Sequence, residues 1–234
     1  MGEVFRANLV ATNWFRAQAY FTASPWRASW AGSGGGILLT QAIHQLDALL
    51  TLVGMPKRVH AQWYRANHDA EVEDEVLALL EWPNGARGTL SASLNDPAGR
   101  ELIEVHGDRG AMQCHGYDVR RATYEPAQHT TLTSADEFPD IAMEWEPVTV
   151  SRKGSEWFDM MLDCHRDFAA AIDAGRPPAI GPAEGARVVE FVNGLYQSAA
   201  RGEPVELPLA TVDYDDTYAR LCAGSIAVPG ERNR

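Results

Sequence analysis

Between Ile37 and Val53, apolar residues return every three or four positions through Leu39, Ile43, Leu46, Leu50 and Val53, and Gly54 with Pro56 ends the pattern. That period puts one apolar stripe along a helix, and a single helix is predicted over Ile37–Val53. After Arg58 the period falls toward two. Val59, Ala61 and Trp63 alternate, Val76 to Trp82 is a nearly continuous apolar run, and Pro83-Asn84-Gly85 supplies a turn before Ala86 to Leu94. Glu101 to His106 and Ala111 to His115 flank a second turn at Gly107-Asp108-Arg109-Gly110, and strand-like sequence continues to about Tyr124. Strands joined by such tight turns pair antiparallel, because a parallel return needs a crossover of roughly a dozen residues or more. The segment Glu3 to Trp14 is β-branched and aromatic enough for an opening strand, so the chain is expected to begin inside structure without a leader.

Past an acidic stretch from Thr130 to Glu146 that reads as irregular, two helices are expected. The first, about Ser155 to Ala174, places Phe158, Met161, His165, Phe168 and Ile172 on one stripe and ends at Gly175, Pro177 and Pro178. The second starts at Gly181-Pro182, carries Val188, Val192, Leu195 and Ala199, and closes at Gly202, a proline-first, glycine-last arrangement. Helices grouped before and after a run of strands indicate an α+β fold, an open and mainly antiparallel β-sheet with helices packed on one face. The expected division is a domain over residues 1–211 and an acidic tail over 212–234.

A chain of 234 residues, 45% of them hydrophobic, can bury one sizeable core. Its 32 acidic against 20 basic residues leave a net charge of −12, which repels phosphate backbones and anionic headgroups, so neither nucleic acid nor membrane is an expected partner. No apolar run approaches the ~18 residues of a membrane helix. Cys114, Cys164 and Cys222 are far apart with no CxxC spacing, which fits a reducing cytoplasm and no zinc site.

The glycine cluster Gly32-Ser33-Gly34-Gly35-Gly36 invites a test for a nucleotide fingerprint. Ile37 stands where G-x-G-x-x-G needs its third glycine, and no G-x-x-x-x-G-K-[ST] occurs, so close packing is the better reading. Thr40, His44, Asp47 and Thr51 form one polar stripe on the following helix. A carboxylate beside an imidazole can orient it for general acid or base work, whereas a solvated helix face gives the same spacing. Trp14, Arg16, Tyr20, Trp26, Arg27 and Trp30 make a second constellation: aromatic faces and guanidinium donors suit a polyol pocket, or they are ordinary core aromatics. The acidic run Glu71-Val72-Glu73-Asp74-Glu75 lacks calcium-loop spacing and reads as solvated, with no metal expected. His165 reads as a satisfied histidine at the edge of the core. No serine has the G-x-S-x-G context.

Trp26-Arg27-Ala28-Ser29-Trp30, Gly34-Gly35-Gly36-Ile37-Leu38 and Gln41-Ala42-Ile43-His44-Gln45-Leu46-Asp47 together resemble the glucose-fructose oxidoreductase and inositol dehydrogenase family, Gfo/Idh/MocA. Val72-Glu73-Asp74-Glu75 before a strand, Asn84-Gly85-Ala86 at a hairpin, Glu184-Gly185-Ala186-Arg187 opening a helix, and Val205-Glu206-Leu207-Pro208 agree with its second domain. The resemblance implies a two-domain enzyme: a Rossmann domain holds NAD or NADP, and the second domain supplies substrate contacts and a homo-dimer or tetramer interface through its sheet. No Rossmann domain is read in this chain, and the family's Glu-Lys-Pro lysine has no counterpart here. His44 aligns with the histidine of the family's Asp-x-Gly-x-His motif and would exchange a proton with a sugar hydroxyl, with Asp47 beside it. Thr40 stands where the motif has aspartate and Ala42 where it has glycine, so position 40 contributes no charge to raise the basicity of the ring. Trp14, Arg16, Tyr20, Arg27 and Gln41 are then expected to contact substrate.

On that resemblance, the expectation is an NAD(P)-dependent oxidoreductase of a secondary hydroxyl on a sugar, inositol or polyol. The chain would be a fragment lacking the nucleotide-binding domain, inactive alone, with Met1 an internal methionine. Two rivals remain: a non-catalytic dimerisation or ligand-binding module, and an NAD-assisted glycosidase of similar architecture.

Overall fold

The computed structural model describes residues 1–149 and 157–230. In chain order, strand β1 (Val4–Ala11) is followed by short helices α1 (Ala19–Thr22), α2 (Trp30–Ser33) and α3 (Ile37–Thr40), with a 3-10 turn at Pro25–Ala28, and then by α4 (Ile43–Val53). Six strands succeed them: β2 (Arg58–Tyr64), β3 (Glu75–Glu81), β4 (Arg87–Ser93), β5 (Glu101–Gly107), β6 (Gly110–His115) and β7 (Asp118–Glu125). The chain continues through α5 (Gln128–Leu132), β8 (Ala142–Val148), α6 (Trp157–Ala174), α7 (Pro182–Arg201), β9 (Val205–Glu206) and α8 (Thr211–Cys222).

All nine strands form one open sheet in the order β8-β7-β6-β5-β1-β4-β3-β2-β9. Two meanders, β2-β3-β4 and β5-β6-β7, pair antiparallel; tight turns require this of β3-β4, β5-β6 and β6-β7, whereas residues 65–74 link β2 to β3. What joins the two meanders is β1, which inserts between β4 and β5, parallel to the former and antiparallel to the latter. The in/out alternation decides which face is covered: Leu9, Val59, Trp63, Val76, Leu80, Leu90 and Val105 are buried, whereas His60, Gln62, Leu79 and Thr89 face away from the core. Helices α4 and α7 pack on the apolar face, α7 chiefly against β2 and α4 against β1. The α+β architecture with helices on one face therefore stands as the sequence predicted.

Four local expectations change. The Ile37–Val53 helix is broken at Gln41 and Ala42, where Gln41 adopts φ −133° and ψ −56° and its side chain is drawn into polar contacts. The stretch Thr130 to Glu146 contains a five-residue helix up to Leu132 and the start of β8, an edge strand held by its backbone pairing to β7 and exposed on both faces, so it never shows alternation. Ser155 lies outside the described residues, as does the side chain of Phe158; the remainder of that apolar stripe is exposed, with Phe168 at 58% and Ile172 at 67%. His165 is likewise exposed, and its Nδ1 lies 2.7 Å from the Met161 carbonyl one turn back in α6. Beyond residue 211, α8 packs on α7 and α2, with Tyr218 donating to the Trp30 carbonyl at 3.1 Å and Leu221 buried.

Candidate functional site

The short elements after β1 bring most of the predicted residues together. Gln41, at the helix break, accepts from Arg16 Nη2 at 2.8 Å through Oε1 and donates through Nε2 to the Tyr20 hydroxyl, also at 2.8 Å. The Arg16 guanidinium lies 5.6 Å from the Trp14 ring centre and 5.3 Å from that of Tyr20, and the Arg27 guanidinium lies 4.5 Å from Tyr20 on the same ring. Stacked guanidinium and aromatic planes attract through the ring quadrupole. Trp14, Arg16, Tyr20, Arg27 and Gln41 are thus one contiguous cluster.

Trp30 does not join it. It is 1% exposed and packs in the core against Trp63 and Tyr196 at 5.5 and 5.1 Å. Trp26 stands at the outer edge, 53% exposed, beneath Arg27.

One turn beyond Gln41, His44 is exposed at the surface. The cavities around Arg58, His60 and Leu221 are lined by other residues. The structure does not couple His44 to Asp47: the carboxylate of Asp47 turns to Arg187 of α7, 3.5 Å away, and Arg187 also reaches Thr51. Thr40 donates back to the Gly36 carbonyl at 2.7 Å, so the four-residue polar stripe is divided among three separate tasks.

Residues that sequence reasoning did not single out complete the surroundings. Gln45, 5% exposed, and Asn13 both donate to Glu101 Oε2, at 3.0 and 3.2 Å. The Oε1 of Gln45 and the indole Nε1 of Trp14 are buried without a hydrogen-bond partner among the described residues. Unpaired buried polar atoms are costly.

The acidic run differs most from its expected solvated form, since Glu73 and Asp74 are both 0% exposed. Glu73 Oε2 accepts from the Gly36 N–H at 2.8 Å, and its Oε1 accepts from Leu38 N–H at 3.2 Å and the Tyr196 hydroxyl at 2.7 Å. Burial pushes its carboxyl up to about 7 against the pull of those donors. A Cβ on Gly36 would stand 1.8 Å from the Glu73 carbonyl oxygen, so only glycine admits this approach. The N-terminus of α3, where a dinucleotide phosphate would sit, is therefore occupied by the protein's own Glu73 carboxyl group, and the glycine cluster does not fit a nucleotide. Close packing is its role.

Asp74 accepts from the backbone N–H groups of Ala66, Asn67 and His68 at 2.7, 3.0 and 3.1 Å, and lies 2.7 Å from His68 Nδ1. Burial works against its charge, but the His68 hydrogen bond and the backbone donors outweigh it and bring the carboxyl down to about 2. No group of three or more His, Cys, Asp or Glu suited to a metal ion occurs among the described residues.

Residues 1–113 match the family described as the GFO/IDH/MocA C-terminal domain. The resemblance carried by the glycine, histidine and acidic motifs is thereby shown over this segment. Among curated relatives, the chain is 23% identical over 174 residues to D-xylose 1-dehydrogenase (NADP(+)) 2 of Haloferax volcanii, covering 74% of this chain and 48% of that protein. It is 26% identical over 173 residues to D-apiose dehydrogenase of Paraburkholderia graminis, covering 70% and 43%. The chain spans about half the length of the curated relatives it matches. In fold it is similar to the WlbA dehydrogenase from Bordetella pertussis, solved with NADH and UDP-GlcNAcA: TM-score 0.67, 23% identity, over 89% of this chain and 56% of that one. Levoglucosan dehydrogenase in complex with NADH superposes at TM-score 0.65 with 19% identity, over 89% and 60%. The sheet thus shares its fold with these dehydrogenases.

Proposed function

We propose that this chain is the substrate-binding, sheet-forming part of an NAD(P)-dependent oxidoreductase that acts on a secondary hydroxyl of a sugar, inositol or related polyol. The observation that carries the reading is the cluster in which Gln41 ties Arg16 to Tyr20 beside Trp14, whose buried indole Nε1 has no hydrogen-bond partner among the described residues. Aromatic faces meet the C–H faces of a sugar, and guanidinium and amide groups meet its hydroxyls. The matched relatives bear the names of sugar dehydrogenases, which supports the substrate class.

Within this reading His44, exposed and one turn from Gln41, would face a cleft that another domain completes, and its imidazole would take a proton from the sugar hydroxyl or return it. Glu73 fills the N-terminus of α3, and NAD or NADP would be held mainly by a domain outside these residues. The outward sheet face, which exposes Leu77 at 43% and Leu79 at 61%, would serve a homo-dimer or tetramer.

The test is a screen of the full-length protein for nicotinamide reduction with D-xylose, D-apiose and levoglucosan, using NAD and NADP. In that protein His44→Ala should lower turnover by ~10²–10⁴ with an unchanged melting temperature, since an exposed ring contributes little to packing. Unchanged turnover removes His44 from the mechanism, and absence of reduction with every sugar removes the substrate class.

A further inference from the structure

Arg16 lies in a connector without regular structure, yet its guanidinium must hold one position to serve the cluster, which poses the question of what fixes its backbone. Its peptide is pinned from both sides. The Arg16 N–H donates to the Leu94 carbonyl at 3.0 Å, and Leu94 in turn donates to the Asp74 carbonyl at 2.9 Å. The Arg16 carbonyl oxygen lies 2.9 Å from His68 Nε2, while the other ring nitrogen lies 2.7 Å from Asp74 Oδ2. Both partners of the ring are acceptors, so both ring nitrogens must donate, and only the imidazolium has two N–H groups.

We propose that His68, held as an imidazolium by Asp74, is the positioning residue that fixes Arg16 and through it the Arg16–Gln41–Tyr20 arrangement. The inference rests on the reading of that cluster as the substrate pocket wall.

The ring is 7% exposed. Against it lie the Asp74 carboxylate just before β3, the Arg16 carbonyl after β1, and the Phe21 ring of α1 with its centre 5.0 Å away. Asp74 supplies the opposite charge, and its three backbone donors keep it oriented and ionised. Burial opposes a charged ring, but the bonds to Asp74 and to the Arg16 carbonyl raise its pKa above the ordinary 6.5. Gln18 reinforces the same contact between connector and loop by exchanging two hydrogen bonds with the Asp69 backbone, at 3.1 and 2.8 Å.

Side-chain nitrogen NMR on the full chain reads both halves of the arrangement. At pH 6.5, below the ring's midpoint, both His68 nitrogens should carry protons. As pH rises and the ring loses one, the Arg16 Nε–H and Gln41 side-chain amide signals should move with the same midpoint. In His68→Gln, whose side chain does not titrate, those signals should cease to titrate. Asp74→Asn, a second variant that keeps the side-chain shape, should lower the ring's midpoint and carry the Arg16 and Gln41 transitions down with it. A ring with a single proton at pH 6.5, or Arg16 and Gln41 signals indifferent to its titration, overturns the proposal. Kinetics of the full-length protein separate this from failure of the pocket reading. Arg16→Ala should raise the KM for its sugar about 10-fold or more with kcat little changed. An unaltered KM sinks the pocket reading and the inference resting on it, whereas a raised KM with silent spectroscopy sinks the positioning role alone.

Discussion

Replacing Glu73 with Gln isolates the charge of the carboxyl that seats α3, the element leading into Gln41 and His44. In the folded protein burial raises this carboxyl from its ordinary 4.5 to about 7, so the folded state binds the proton more tightly than the unfolded one. The associated stability is fully present below 4.5 and is lost as pH climbs through about 7. At about 1.4 kcal/mol per pH unit, the loss amounts to about 3 kcal/mol for this fully buried group. Gln keeps an acceptor for the Gly36 N–H but turns an N–H2 toward the Leu38 N–H, at a cost of about 1–3 kcal/mol that does not vary with pH. Urea unfolding of wild type and Glu73→Gln from about pH 4.5 to about pH 8 should therefore show the variant weaker in acid. The difference should then shift by about 3 kcal/mol in its favour as pH rises. Two curves that run parallel over that range would refute the argument that Glu73 is held protonated by burial.

Three further substitutions probe the packing. Gly36→Ala drives a Cβ to within 1.8 Å of the Glu73 backbone oxygen and should cost about 3 kcal/mol or more, whereas Gly185→Ala, with nothing within 4 Å, should leave the melting temperature unchanged or raised. Ser198→Ala removes a buried hydroxyl that accepts from the Ala61 N–H at 3.0 Å and donates to the Glu203 carbonyl at 2.6 Å, and should lower unfolding free energy by about 1–3 kcal/mol in the same urea experiment.

The sequence contained the pairing of β3 with β4 and of β5 with β6, because their tight turns leave antiparallel return as the one geometry open to them, and β2 alternates strictly. It contained the limits of α7, since Pro182 and Gly202 act locally on the backbone. The residues of the Trp14, Arg16, Tyr20, Arg27 and Gln41 cluster were also legible, by aromatic and cationic type and by likeness to a known motif.

Other features were written nowhere locally. The insertion of β1 between β4 and β5 depends on which strand edges remain unpaired after both meanders form. Asp47 and His44 share a helix face in the sequence, but Arg187, 140 positions along the chain, claims the carboxylate. Glu73 and Asp74 look like a solvated charge run because most of their donors are backbone N–H groups, those of Gly36, Leu38, Ala66, Asn67 and His68, and a backbone donor has no residue type to betray it. The hydrophobic period thus determined the elements and the buried face, being a property of neighbours along the chain. The tertiary fold decided which charges are buried, which histidine is clamped between acceptors and which stands exposed, because desolvation and hydrogen bonding depend on what distant segments bring to within about 3 Å.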